Sequence, residues 1–236
     1  MSRGVAALCA VVALVVGCVA PRRPHVGTAA TPQAVVAALA ARERATRGLR
    51  LSMTVRLVGT EHASVLPSPA YLAIDDAGAI RLQVLSAFGM TVLDLTIRDG
   101  GYTLSLPLRQ QTTQGTIDPA TLADPAVAVS DRMIVALALL FQPKARPDAC
   151  SGRGATIVCR VAPALHARVT VDDQLRPVRE EYVRDDGTSL LVATYEGYTR
   201  DDPHAAPTDL HIADPTSGAG MAIHVQRARL ASAPRA

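Results

Sequence analysis

The chain contains no Trp, and aromatic residues make up only 3% of its 236 positions. Proteins that grip nucleic acid by stacking need aromatic platforms, and few are on offer. Charge of one sign is also scarce: 24 basic residues face 21 acidic ones, for a net charge of +3. Lys144 is the one lysine, and the arginines are scattered among acids along the whole length. No basic stripe points to a nucleic-acid partner. The histidines, at positions 25, 62, 166, 204, 211 and 224, form no HExxH or comparable ligand spacing, and neither a GxSxG elbow nor a phosphate loop occurs. Among the four cysteines no CxxC spacing suggests zinc. Asp75-Asp76, Asp172-Asp173, Asp185-Asp186 and Asp201-Asp202 resemble paired carboxylates. All four fall in turn-forming stretches, where Asp serves the local backbone. These absences point away from an enzyme and away from a metal or any other cofactor.

Long apolar runs are missing too, with one exception. Gly4 to Val16 is apolar, follows Arg3, and ends in Val15-Val16-Gly17-Cys18. This is the layout of a secretory signal peptide, and the run is several residues short of the roughly 20 that span a bilayer as a helix. The cysteine after Gly17 resembles the lipobox of bacterial lipoprotein precursors. That resemblance implies cleavage before Cys18 and acyl chains on it, each buried methylene contributing about 0.8 kcal/mol of anchoring. The alternative is a plain secreted protein in which Cys18 is discarded or spare. Val19 stands where, in known sorting signals, Asp would mark retention in the inner membrane, so the resemblance implies a lipid-anchored protein of the outer membrane that faces the periplasm. The chain then divides into a signal peptide (1–17), a lipidated start with a Pro, Gly and Ala-rich linker (18–31), one domain (32–230) and a disordered tail (231–236). In an exported chain, Cys150 and Cys159 around a short polar loop are expected to form a disulfide that pins a local hairpin.

Hydrophobic period gives the elements. Thr31-Pro32 reads as a helix cap and first turn, Val35, Val36, Leu39 and Ala40 recur at helical spacing, and Gly48 is a stop. From Leu49 to Leu57 apolar and polar residues alternate strictly, as in a half-buried antiparallel strand. Similar strands are expected over 70–74, 80–84, 93–97 and 102–106, with Asp99-Gly100-Gly101 able to take positive φ. Residues 109–124 read as polar connection and 125–141 as a second helix, with Ser130 offering an internal start. Strands return at 157–161, 167–171, 178–184, 189–198, 209–213 and 221–230. A mainly β chain with about eleven strands and two helices favours a large curved antiparallel sheet.

This order of elements over residues 32–230 resembles the LolA/LolB-like superfamily of bacterial lipoprotein carriers and receptors. More locally, Ile80 to Ile97, IRLQVLSAFGMTVLDLTI, has the amphipathic strand, small apolar loop ending in Gly, and second strand of LolB-like proteins, and the hairpin and Tyr-rich strand over 183–212 is likewise similar. The resemblance implies a half-closed antiparallel β-barrel with an apolar concave face and a helical lid. It implies acyl chains of a lipid or lipoprotein as ligand, a periplasmic carrier protein as partner, and membrane contact by Ala87 or Phe88 at the loop tip.

Acyl chains make no hydrogen bonds, so a site for them needs only apolar area, at about 25 cal/mol per Å². The candidates are Leu82, Val84, Leu93, Leu95, Ile97, Met133, Leu137 and Leu140. Spacing fits a packed interior as well as a hollow one. Phe88 either projects from its turn beside Gly89 or folds back into the core. Two functions follow: a lipid-anchored, LolB-like receptor with a hollow domain, or an accessory or structural envelope lipoprotein whose filled domain binds a protein partner.

Overall fold

The computed structural model describes residues 30–59, 67–124, 126–141, 144–146, 148–198 and 206–230. The signal segment, the lipobox with Cys18 and the tail lie outside the described residues.

The first helix, α1 (Pro32–Ala45), starts where the sequence places it: the extended Thr31 accepts a hydrogen bond from Ala34 N–H on its hydroxyl (3.3 Å), and Pro32 occupies the first turn. Gly48, at φ +75°, lets the chain turn directly into the first strand. Thirteen strands follow among the described residues: β1 (Leu49–Val58), β2 (Ser68–Ile74), β3 (Ile80–Leu85), β4 (Thr91–Arg98), β5 (Gly101–Leu106), β6 (Gln111–Thr116), β7 (Cys150–Arg153), β8 (Thr156–Ala162), β9 (Leu165–Val171), β10 (Pro177–Arg184), β11 (Ser189–Glu196), β12 (Asp209–Ala213) and β13 (Gly220–Leu230). The second helix, α2 (Val129–Phe141), separates β6 from β7.

All thirteen belong to one antiparallel sheet in the order β6-β5-β4-β3-β2-β1-β13-β12-β11-β10-β9-β8-β7. Two meanders, β1 to β6 and β7 to β12, are joined by the last strand, which pairs with β1 from Leu49↔Leu230 to Val58↔Gly220. The expected half-closed barrel of about eleven strands is corrected here: among the described residues there are thirteen strands, and β6 and β7 are the two ends of a sheet that does not close into a barrel. The two extra strands are those two edges. An edge is recruited by backbone pairing on one side and needs no apolar alternation. Thus β6 is QTTQGT, almost wholly exposed, and β7 is four residues long.

The position of α2 is a second correction. Expected as part of a lid, it is buried nearly all round, with Val135, Ala136 and Ala138 at 1% exposure or less, as befits a helix apolar on every face. One continuous core runs from β1–β4 across α2 to β9–β13, so the sheet curves around this helix. It begins at Val129 and not at 125, because Asp124 holds a turn: its carboxylate accepts from Ala126 N–H (2.9 Å) and its carbonyl from Val127 N–H (3.2 Å). The other helix, α1, packs Val35, Val36 and Leu39 on Ile157, Cys159, Val169 and Val171 in a separate cluster.

Strand register places five leucines in one row across the first meander: Leu51↔Leu72, Leu72↔Leu82, Leu82↔Leu95 and Leu95↔Leu104. Cross-strand apolar pairs of this kind fix register and bury the face they share.

Candidate functional site

A cavity of about 590 Å³ lies between the last turns of α1 and α2 and the sheet at β1, β2 and β9–β13. That volume is within the range of roughly 300–1,000 Å³ of small-molecule pockets. Its walls differ. On the β1, β2, β12 and β13 side it is apolar, formed by Leu51, Met53, Leu72, Leu210, Ile223 and Val225. These are inward-facing positions of strands with a two-residue period, which is why the wall is continuous.

The opposite wall carries Arg42, Glu43, Lys144, Glu180, Tyr195 and Tyr198. Lys144 Nζ sits 2.8 Å from Glu180 Oε1 and donates to the Leu140 carbonyl at the end of α2 (3.3 Å). The other Glu180 oxygen accepts from the Tyr195 hydroxyl (3.1 Å). Glu43, on α1, accepts from Lys144 N–H (3.0 Å) and from Ala145 N–H (3.2 Å), and so ties the first helix to the segment after the second. The Arg42 and Arg176 guanidinium groups lie 5.0 and 4.9 Å from the Tyr198 ring centre, a cation–π arrangement. Burial, reinforced by the Glu180 charge, pushes the Tyr195 phenol well above its ordinary range. The wall is therefore a set of matched charges and neutral phenols, able to meet a polar group without an unpaired buried ion.

Of the residues singled out in the sequence as cavity candidates, Leu140 borders this cavity. Leu82, Leu95, Ile97 and Leu137 are buried in the core that contains α2, and Val84, Leu93 and Met133 pack half-buried against it. The row of leucines explains the division: Leu51 and Leu72 reach the open space, while Leu82 and Leu95, on the same face, belong to the filled part. Leu51, Met53 and the polar wall were not singled out. The available signal was Lys144, the one lysine in a chain that otherwise uses arginine.

Cys150 and Cys159 form a disulfide (S–S 2.02 Å) between directly opposed positions of the β7–β8 hairpin. Ala87 and Phe88 sit in the β3–β4 turn, exposed, with Phe88 at 88%. Ser86 builds that turn, its hydroxyl accepting from Phe88 N–H (3.3 Å) and Met90 N–H (3.2 Å), while Gly89 takes φ +79°. Register places the turn at the Val58 end of β1, whereas the cavity lies toward the Leu49 end. Leu57, Val58, Met90 and Leu108 are exposed at the same end as Phe88. Three of the Asp pairs do serve their turns: Asp75 accepts from Ala79 N–H, Asp172 from Gln174 and Arg176 N–H, and Asp186 from Thr188 N–H. The fourth, Asp201-Asp202, lies outside the described residues. Among the described residues no cluster of three or more His, Cys, Asp or Glu is placed to hold a metal, and no helix is long and apolar enough to cross a membrane.

No protein-family profile and no curated protein matches the sequence. Solved structures do match in fold. A Vibrio parahaemolyticus domain described as outer membrane lipoprotein-sorting aligns with 85% of this chain and 92% of its own, at 12% identity and a TM-score of 0.55. A LolA superfamily protein from Nitrosomonas europaea aligns over 87% and 96% at 13% identity and a TM-score of 0.53. A DUF1329 family protein from Desulfovibrio piger aligns over 84% and 92%, with 13% identity and a TM-score of 0.54. The chain thus shares its fold with these three structures, one of which is a LolA superfamily protein.

Proposed function

We propose that this chain is a non-enzymatic envelope lipoprotein, anchored through acylated Cys18 to the outer membrane, whose cavity takes an acyl chain of a lipid or lipoprotein as a LolB-like receptor does. The observation that carries the reading is the continuous apolar wall of the 590 Å³ cavity. Burying alkyl area there yields about 25 cal/mol per Å² without requiring any hydrogen bond. The exposed Phe88 turn, with Leu57, Val58, Met90 and Leu108 at the same end, supports contact with the bilayer. With that end at the membrane, the cavity faces the periplasm, where a carrier protein would deliver its cargo.

Displacement of a fluorescent fatty acid, with mass spectrometry of gently extracted protein, tests this reading. Saturable displacement and co-purifying lipid are expected, and Val225→Trp, which fills the cavity from a half-buried position, should weaken binding at least tenfold, or about 1.4 kcal/mol. Absence of both binding and bound lipid would retire the proposal.

A further inference from the structure

Four hydroxyl groups line the cavity, those of Thr46, Tyr195, Tyr198 and Thr208. A hydroxyl has one proton to give and two lone pairs with which to accept. All four protons are already given to the protein. Thr46 donates to the Glu43 carbonyl (2.7 Å), Tyr195 to the Glu180 carboxylate (3.1 Å), Tyr198 to the Pro177 carbonyl (2.7 Å) and Thr208 to the Asp209 carboxylate (2.8 Å). Toward a ligand each of them can only accept.

Glu180, which also lines the cavity, adds to this bias. Its Oε1 atom is buried and faces the Lys144 charge at 2.8 Å, yet it accepts no hydrogen bond among the described residues. A carboxylate offers about four acceptor positions, and the other oxygen receives Tyr195. On the donor side, Lys144 gives an N–H to the Leu140 carbonyl (3.3 Å) and, as an ammonium with three, can donate further. The charges of this wall are Arg42 and Lys144 against Glu43 and Glu180, so they sum to zero. An ionised carboxylate or phosphate would bring more acceptors to a wall of acceptors and would unbalance it. A head that supplies protons would instead pair the buried oxygens, and leaving such groups without a partner is costly.

We infer that the ligand's head is uncharged and carries hydroxyl groups beside an ester carbonyl, as in an acylglycerol. This rests on the reading that the cavity holds an alkyl chain. The hydrocarbon lies on Leu51, Met53 and Leu72, the hydroxyls donate to Glu180, Tyr195 and Tyr198 on the opposite wall, and the carbonyl accepts from Lys144.

The test is titration calorimetry of the full chain, stripped of co-purifying lipid on a hydrophobic resin. The probes are 1-monomyristoylglycerol, methyl myristate and myristate, each below micelle formation at about pH 8, where the free acid is ionised. All three share one chain. The methyl ester keeps the carbonyl but has no proton to donate, and the acid carries a charge instead. A site built to bond a hydroxyl discriminates against an analogue without one, so the monoacylglycerol should bind at least about tenfold more tightly than either. Tyr195→Phe should narrow that gap. In K144M/E180M, where a buried pair is replaced by two apolar groups and the fold is spared, the gap should close to within about twofold. Equal binding of the ester or the acid, or a gap retained in both variants, would overturn the hydroxyl-bearing head while leaving the cavity reading intact. Failure of all three lipids to bind would remove both.

Discussion

Lys144 Nζ and Glu180 Oε1 lie 2.8 Å apart on the cavity wall, with side-chain exposures of only 10% and 4%. Breaking a buried pair strands the remaining charge, at a cost of roughly 3–5 kcal/mol, whereas replacing both partners by apolar groups is far milder. Lys144→Met should therefore lower unfolding free energy by about 3 kcal/mol, and K144M/E180M should recover most of the loss, as read from urea midpoints. A single variant as stable as the parent would show that water solvates the pair.

Phe88 presents the opposite case. At 88% exposure it supports no packing, so Phe88→Glu should leave stability within about 0.5 kcal/mol. Flotation with phospholipid vesicles should nevertheless fall, since a carboxylate replaces an apolar group at the membrane boundary. Undiminished flotation would dismiss the turn as a contact.

The disulfide closes a short loop at one edge of the sheet. Replacing Cys150 and Cys159 together by Ala should lower stability by about 2–3 kcal/mol in the chain-entropy account. Fatty-acid binding should persist, because the apolar wall belongs to β1, β2, β12 and β13 and not to the β7–β8 hairpin. Thermal unfolding beside a displacement assay separates the two effects.

On the outer face of β3 and β4, Arg81 donates to both oxygens of Asp94 (3.0 and 2.6 Å), and Gln83 adds a bond at 3.0 Å. The Arg81 hydrogen bond holds the Asp94 carboxyl below its usual range. A depressed carboxyl contributes stability above its unfolded pKa of about 3.9 and loses it as pH falls through the folded value. Asp94→Asn should thus cost up to about 1 kcal/mol at neutral pH. That difference should close on acidification below about pH 4, measured as urea midpoints across pH. A gap constant with pH would contradict the ion pair.

Much of the fold was legible because local chemistry and local pattern agreed. Thr31-Pro32 and Gly48 bracket α1, and the alternation from Leu49 to Leu57 matches β1 with Leu51, Met53 and Val55 inward. In the turn Asp99 and Gly100 both adopt positive φ, at 51° and 74°. The edge strands were illegible for a physical reason: Gln111–Thr116 pairs through its backbone while its side chains face water, so it carries no apolar period.

The cavity divides along the same line. Sequence determined which face of each strand is apolar, where the Phe88 turn falls, and that Cys150 and Cys159 could meet across a short hairpin. Those are properties of neighbouring residues, written in periods of two and 3.6. Only tertiary structure decided that α2 would fill the sheet above Leu82 and Leu95 and leave Leu51 and Leu72 open. It alone brought Lys144 to Glu180 and Arg50 to Arg229, because those contacts join segments distant in the chain. Their meeting depends on how a thirteen-stranded sheet curves and where its last strand inserts.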